Sequence, residues 1–463
     1  MKTNPALALL GLSLFAANLP AATEPTPAPE TIVATASVPQ LPDPDHRPNI
    51  VLILADDIGY ETLQCYGSAS YKTPNLDRMA SQGLQFTYAY AQPVCTPTRV
   101  QLLSGKYNVR NYIRFGEINP HELTIANYLR DRGYTTGIAG KWQLGGSRYT
   151  ITNFGFDHYL LWWLEKKSQR YMNPGDFIQD KVTRHGKKGE YGPDVMNSYV
   201  LNFIKDHAHD ERPFFCYYPM LLVHAPFTPT PLSTAKKTER TDPKFFADMM
   251  NYADLMVGKV LDQLEASGIR DNTIVIFMGD NGTNDAIVSR MKDGTTIRGG
   301  KDLTTDAGTR EPLLISWPAV IKPAVINDSI ADLTDFMPTL CEAAGYTTED
   351  MPQTDGISLM PLFRGDKAGA RDWSYCWISS SGSKDRAVKY ARNIRYKLYS
   401  DGRFFDISKD VLEQHSIPES AMTKDQRAIR TRLQGILDRY AAVEAKRPAT
   451  PPLPKFGKAA RED

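Results

Sequence analysis

Two short acidic turns carry the first recognisable chemistry in this chain. Asp56-Asp57 closes the apolar run Asn49-Ile-Val-Leu-Ile-Leu54, and Asp280-Asn281 closes Thr273-Ile-Val-Ile-Phe-Met278. Four oxygen-bearing side chains gathered from distant segments suit a hard divalent cation, Ca2+ or Mg2+. One such pair alone reads better as a helix or turn cap; two pairs at the ends of two such runs favour the cation. A third segment, Cys95-Thr-Pro97-Thr-Arg99, places a thiol at a helix start, because proline is preorganised for the first helical turn. Free N–H groups and the helix dipole favour an anion there, and Arg99 lies one turn further on. By charge alone this is an anion site containing a thiol; a buried structural cysteine is the other reading of the same residue.

These groups need a scaffold that brings strand ends together. Continuous β-branched apolar runs suit parallel strands buried on both faces. Shorter strands are predicted at Thr135–Ala139, Phe214–Tyr218 and Leu313–Trp317. Helical patterns run from Thr73-Pro74 to Gln82, over Leu123–Arg132 and over Phe245–Ser267, the last with Met249, Tyr252, Met256, Val260 and Leu264 on one face. The alternation implies an α/β fold: a doubly wound, mostly parallel sheet flanked by helices. In such sheets ligands sit at the carboxyl ends of the strands. Beyond about Arg364 the pattern changes to a hairpin, Tyr396–Tyr399 and Arg403–Asp406 around Asp401-Gly402, and a helix over about Thr423–Ala445. The expected organisation is a signal peptide over 1–22, a proline-rich linker over 23–46, a catalytic α/β domain over 47–364, a small C-terminal α+β subdomain over 365–446 and a tail over 447–463.

Composition excludes several classes. The 463 residues carry 54 Lys+Arg against 53 Asp+Glu, a net charge of +1, which removes the electrostatic case for a nucleic-acid partner. With 41% hydrophobic and 23% charged residues the chain is globular rather than disordered. Five cysteines are too few for a disulfide-built scaffold, and no Cys-x-x-Cys pair exists for a zinc ribbon. Lys2, the apolar run Ala6–Ala17 and the small residues Ala21-Ala22 read as a secretory signal. The expected product is exported, periplasmic or secreted, with no membrane association after cleavage. Tyr159-Leu-Leu-Trp162-Trp163 and Arg170-Tyr171 follow Gly155-Phe-Asp-His158 in a stretch that reads equally as an aromatic sugar subsite or as local core.

Cys95-Thr-Pro97-Thr-Arg99 also resembles the Cys-x-Pro-x-Arg signature of the type I sulfatases of the alkaline phosphatase superfamily, and the setting matches too. Pro48–Gly59 resembles that family's opening strand and metal-binding turn, and Gly133-Tyr-Thr-Thr-Gly-Ile-Ala-Gly140-Lys141-Trp142 its second signature. Asp280-Asn281-Gly282, Arg298-Gly-Gly-Lys301 and Arg310-Glu311-Pro312 resemble later blocks in the same order. The resemblance spans about residues 47 to 415. It implies that Asp56, Asp57, Asp280, Asn281 and the modified Cys95 hold a cation, Ca2+ with Mg2+ as the alternative. It also implies that Cys95 is oxidised to Cα-formylglycine by a maturation enzyme. The hydrated aldehyde would attack sulfur with one hydroxyl, release the alcohol, and expel sulfate through the other. Arg99 would orient the diol, Lys141 would reach a sulfate oxygen, and Lys301 would do the same or protonate the leaving oxygen. His224, in Val223-His224-Ala225-Pro226, would contact sulfate and provide a proton.

One residue departs from the pattern. The second signature usually ends Gly-Lys-Trp-His-Leu-Gly, whereas here Gln143 stands in the histidine position. Glutamine donates and accepts hydrogen bonds but takes no proton at neutral pH. The implied activity is hydrolysis of sulfate monoesters, with a sulfated carbohydrate as the expected substrate. A phosphonate monoester or phosphodiester hydrolase of the same superfamily, or an inactive anion-binding relative, are the alternatives.

Overall fold

A computed structural model describes residues 47–165, 167–234, 242–367 and 369–447. The signal, linker and tail expected from the sequence lie outside them, apart from residue 447. Sixteen strands are present among the described residues: β1 (Asn49–Ala55), β2 (Leu84–Tyr90), β3 (Thr135–Lys141), β4 (His158–Trp162), β5 (Phe177–Gln179), β6 (Val182–Arg184), β7 (Phe214–Pro219), β8 (Thr273–Gly279), β9 (Val288–Arg290), β10 (Thr296–Arg298), β11 (Arg310–Ser316), β12 (Val325–Asp332), β13 (Ser374–Ile378), β14 (Val388–Arg392), β15 (Tyr396–Tyr399) and β16 (Phe404–Asp406). Ten form one sheet in the order β12-β2-β11-β8-β1-β7-β3-β4-β5-β6. Its centre, β8-β1-β7-β3-β4, is parallel throughout. β11 runs antiparallel to both of its neighbours, and β5 and β6 add an antiparallel flank. The strand predicted at Leu313–Trp317 is β11, which begins at Arg310 and is antiparallel within the mostly parallel sheet.

The central strands are apolar on both faces because both faces are covered. Ile50, Leu52 and Leu54 of β1 enter one buried cluster with Val100, Leu103, Leu129, Phe336 and Leu340. Val51, Ile53 and Ala55 enter the other, with Leu76, Met79, Val200, Met249 and Val260. Helices Cys95–Ser104, Ile125–Asp131 and Phe336–Ala343 cover the first face, and Pro74–Ser81, Gly192–His207 and Phe246–Ala266 the second. A period-2 strand pointed into two cores needs apolar residues at every position. The helix predicted over Phe245–Ser267 begins one residue later, after a 3-10 turn capped by Asp242.

β9 and β10 pair as a small antiparallel sheet of their own, and the four-stranded sheet β13-β14-β15-β16 is antiparallel and packs with the helix Lys424–Ala445. That helix opens on a full capping box, Thr423 with Gln426. No helix of the described residues is long and apolar enough to cross a membrane.

Candidate active site

Strand register brings the two acidic turns together. Ala55 of β1 pairs with Gly279 of β8, so Asp56 and Asp280 leave adjacent parallel strands at the same level. The Asp57 backbone N–H donates to Asp280 Oδ1 at 3.0 Å, and Asn281 Nδ2 donates to Asp57 Oδ1 at 2.8 Å. Asp57 holds a left-handed backbone (φ 61°), a conformation Asp and Asn tolerate better than most residues. β7 lies between β1 and β3, so the loop after it delivers His224 to the same level, and β3 ends at Lys141. Gly140 is required just before it. At φ 140° a Cβ would stand 1.8 Å from the Pro219 carbonyl oxygen of β7.

Lysine and arginine side chains close over the carboxylates. Lys141 Nζ donates to both oxygens of Asp56 at 2.7 and 2.9 Å, and Lys301 Nζ to both oxygens of Asp57 at 2.7 and 2.8 Å. Arg99 donates to Asp280 Oδ2 at 2.7 Å and to the Lys141 carbonyl at 3.0 Å, and stands 3.8 Å from Asp56. Asp56, Asp57 and Asp280 are wholly buried. Burial alone would raise Asp56, but Lys141, His224, Arg99 and Lys301 hold its carboxyl far below the usual range. Asp280 is pushed the other way, by burial and by the neighbouring Asp56 charge. Burial opposes the charge on Lys301 as well, yet Asp57 and Asp56 keep it firmly protonated.

Cys95 opens its helix, Cys95–Ser104, and is buried. The helix is pinned to the acidic turns by Thr98, whose hydroxyl donates to the Asp280 carbonyl at 2.7 Å, and by Arg99. Burial pushes the Cys95 thiol up; Lys141 and Lys301 pull it down, and Asp280 and Asp56 push it further up. A thiol so placed is a poor thiolate, and hence a poor nucleophile in its unmodified form. Gln143 is buried on a left-handed backbone (φ 59°), its N–H donating to the Trp163 carbonyl, and its Oε1 has no hydrogen-bond partner. All five cysteines are free. Cys216 is buried in β7, as a small hydrophobe would be.

The donor set fits a hard cation. Ligand atoms of Asp56, Asp57 and His224 lie within 4.8 Å of one another. Asn281 Oδ1 is buried without a hydrogen-bond partner while its Nδ2 is used twice. An orphaned amide oxygen beside carboxylates is the donor a Ca2+ or Mg2+ ion takes. Burial disfavours the charged form of two further acids. Glu61 and Glu311 are fully buried, and burial pushes both carboxyls up, Glu311 also through Glu61, Asp280 and Asp57.

His224 is a neutral acceptor here. Burial lowers its pKa to about 4 against the pull of Asp56 and Asp57. Its Nδ1 faces the Ala225 carbonyl at 2.5 Å, so Nδ1 carries the hydrogen and the Nε2 lone pair faces Asp57 Oδ2 at 3.9 Å. A histidine depressed in the folded state loses stability as pH falls from its unfolded value near 6.5 to about 4, because the unfolded chain takes up the proton first. Below that window the loss is complete, at most about 3 kcal/mol. Asp280, raised when folded, contributes in the opposite sense. Metal-free wild type should therefore lose stability relative to H224Q between pH 6.5 and 4 in paired urea titrations; parallel pH profiles would contradict the neutral, buried imidazole.

Sequence reasoning named Arg170 only within the aromatic stretch and did not place it beside the carboxylates. Its Nη1 stands 3.7 Å from Asp56 Oδ2, and its guanidinium lies 4.4 Å above the Trp162 ring. Trp162 is wholly buried with that cation on its face, so it belongs to the core and not to an aromatic sugar subsite; Trp163 is half-buried with Lys167 at 5.0 Å. The signal that could have found Arg170 is an arginine shortly after a strand whose partner, β3, ends in Lys141.

A parallel-centred sheet with a cation-lined carboxylate cage beside a helix-opening cysteine defines a hydrolase of anionic esters. The chain matches the Sulfatase family over residues 48–346 and the C-terminal region of N-sulphoglucosamine sulphohydrolase over residues 300–439. It belongs to the sulfatase family and is a sulfuric ester hydrolase. It is 32% identical over 384 residues to arylsulfatase A of Homo sapiens, covering 76% of this chain and 74% of that protein. It is 30% identical to N-acetylgalactosamine-6-sulfatase of Homo sapiens over 68% of this chain and 65% of that one. A structure solved in complex with k-i-k-neocarrahexaose shares the fold, with a TM-score of 0.72 and 24% identity over 86% of this chain and 93% of that chain.

Proposed function

We propose that this enzyme, expected to be exported, removes sulfate from a sulfated carbohydrate, with Asp56, Asp57, Asp280 and Asn281 holding a divalent cation and Cys95 as the modified nucleophile position. The observation that supports it most is the meeting of both acidic turns with Arg99 and the Cys95 helix. A carbohydrate substrate is supported by the named activity of the N-acetylgalactosamine-6-sulfatase relative and by the neocarrahexaose bound to a protein of the same fold. A maturation enzyme that oxidises Cys95 is the implied protein partner.

The cation, when bound, supplies Lewis acidity at a sulfate oxygen. Formylglycine at position 95 would supply a hydrated aldehyde, one hydroxyl to attack sulfur and a second to expel sulfate. The chain's own residues do the rest. Arg99 fixes Asp280 and the start of the Cys95 helix in one contact set. Lys141 and Lys301 bring their ammonium groups toward the sulfate oxygens, in a buried site where charge acts strongly. Lys301, protonated and less buried than Lys141, is the donor to the leaving oxygen. His224, neutral with Nε2 as acceptor, positions the substrate rather than protonating it. Gln143 offers an amide oxygen where a histidine would offer a base.

Lys301 as proton donor gives a leaving-group signature. K301A should slow alkyl sulfates, whose alkoxides need a proton, on the order of 10²–10³-fold, and 4-nitrophenyl sulfate much less. Equal losses on both substrates would reassign Lys301 to sulfate binding alone. The same plate should carry 4-nitrophenyl sulfate beside bis(4-nitrophenyl) phosphate and a phenylphosphonate ester. Higher kcat/KM on either phosphorus ester than on the sulfate would overturn the sulfatase reading of this site.

A further inference from the structure

Arg170 is a cation with more donors than partners. It is 3% exposed. The nearest carboxylate, Asp56, already receives Lys141 on both oxygens, and Arg170 Nη1, 3.7 Å away, makes no hydrogen bond. A buried, permanently charged guanidinium with a free N–H is costly unless something anionic arrives to meet it.

The fold holds Arg170 in that position. Lys141 of β3 pairs with Trp162 of β4, so the chain leaving β4 starts level with the Lys141 ammonium. Trp162 Nε1 donates to the Ser168 carbonyl at 2.9 Å, which folds the segment back over the ring and sets Arg170 on its face. The Tyr171 hydroxyl donates to the carbonyls of Leu221 and His224, and the Gly192 N–H donates to the Tyr171 carbonyl. Arg170 and Tyr171 thus act as a pair: one reaches the Asp56 carboxylate, the other ties down the His224 loop. A solvated surface arginine needs no such anchoring.

We propose that Arg170 is a catalytic residue that donates to a non-bridging oxygen of the sulfate group being transferred. This deepens the sulfate-ester reading and rests on it. Its position selects the transferred sulfate over a second anionic group on the sugar. A donor 3.7 Å from the Asp56 carboxylate reaches the anion that Lys141 reaches, not a substituent one ring atom further out. Guanidinium presents paired N–H groups to a tetrahedral oxyanion, and stacking on Trp162 fixes the plane of that fork.

The test uses the full-length, calcium-loaded enzyme, R170Q and R170K, titrated calorimetrically with sodium sulfate and assayed on 4-nitrophenyl sulfate. R170Q should weaken sulfate binding at least about tenfold and lower kcat/KM on the order of 10²-fold, with calcium affinity unchanged. R170K should recover part of the sulfate affinity, since it keeps the charge and loses the fork. Unchanged sulfate affinity with weakened calcium binding would overturn the proposal and leave Arg170 as a support for Asp56. The titration does not need a converted Cys95. A wild-type protein whose Cys95 is converted to the aldehyde, and that binds sulfate but hydrolyses no sulfate ester, would count against the hydrolase assignment, while the R170Q titration still decides Arg170. Circular dichroism and urea midpoints matching wild type identify R170Q as folded, and R170K repeats the test with the charge retained.

Discussion

C95A protein should turn over 4-nitrophenyl sulfate at no more than about 10⁻⁴ of the wild-type rate, because the position that carries the nucleophile then has no hydroxyl to offer. The fold should survive. Cys95 is a small buried side chain at the first position of a helix whose register is set by Thr98 and Arg99, not by sulfur. Truncating one small side chain in a packed site costs about 1–2 kcal/mol, so C95A should unfold cooperatively only slightly below wild type and keep calcium through Asp56, Asp57, Asp280 and Asn281, more weakly by the one ligand that the modified position 95 would supply. C95S separates the chemistry further. A serine hydroxyl could attack sulfur, but it has no second hydroxyl to expel sulfate. A slow sulfated adduct on the serine peptide, without multiple turnover, is the expected outcome. Full multiple-turnover activity in C95S would show that the diol is not needed.

The second large effect belongs to Asp57. Asp57→Asn keeps the left-handed backbone that Asp57 needs (φ 61°), since asparagine tolerates that region too. It removes the carboxylate charge to which Lys301 donates on both oxygens and leaves the cage a neutral amide oxygen in place of a hard carboxylate ligand. Calcium affinity should fall at least about 10²-fold and turnover on the order of 10³-fold. Lys301, mostly buried, is then left without its carboxylate, and the metal-free variant should be less stable than wild type by a few kcal/mol, roughly 3. Calcium binding by calorimetry, together with urea unfolding with and without calcium, reads both. Unaltered calcium affinity in D57N would remove Asp57 from the ligand set.

The central strands and the acidic turns were legible in the sequence for one reason. From Ile50 in β1 and Ile274 in β8 the strands are continuously apolar because each is buried on both faces, and a strand that ends on Asp-Asp or Asp-Asn must then present oxygen at the sheet's carboxyl edge. The rim of the sheet was not legible. β2, Leu-Gln-Phe-Thr-Tyr-Ala-Tyr, mixes buried and half-buried positions, and β12 is interrupted by a register shift between Asn327 and Ile330. Neither shows the continuous run that marked β1. The helix Gly192–His207 was missed because it opens on Gly-Pro, which reads as a turn.

At the site, residue types and spacing alone pointed to Asp56, Asp57, Cys95, Arg99, Asp280 and Asn281, whereas Lys141, Gln143, His224 and Lys301 were named only by the resemblance to the sulfatase signatures. The direction of His224's titration was not legible, since it depends on burial and on the Ala225 carbonyl that fixes its tautomer. Arg170 was hidden for a related reason. Arg170 lies in a stretch without regular periodicity that reads equally as a sugar subsite or local core, and the fold-back over Trp162 is what sets it beside Asp56.

The most direct measurement is intact-mass and tandem mass analysis of the proteolytic peptide that contains Cys95, taken from protein made in its native host and treated with a hydrazide probe. The thiol should be gone, replaced by an aldehyde that the probe captures, and the captured fraction should track specific activity between preparations. Fully active protein whose Cys95 peptide keeps an intact, alkylatable thiol would contradict the account at its base.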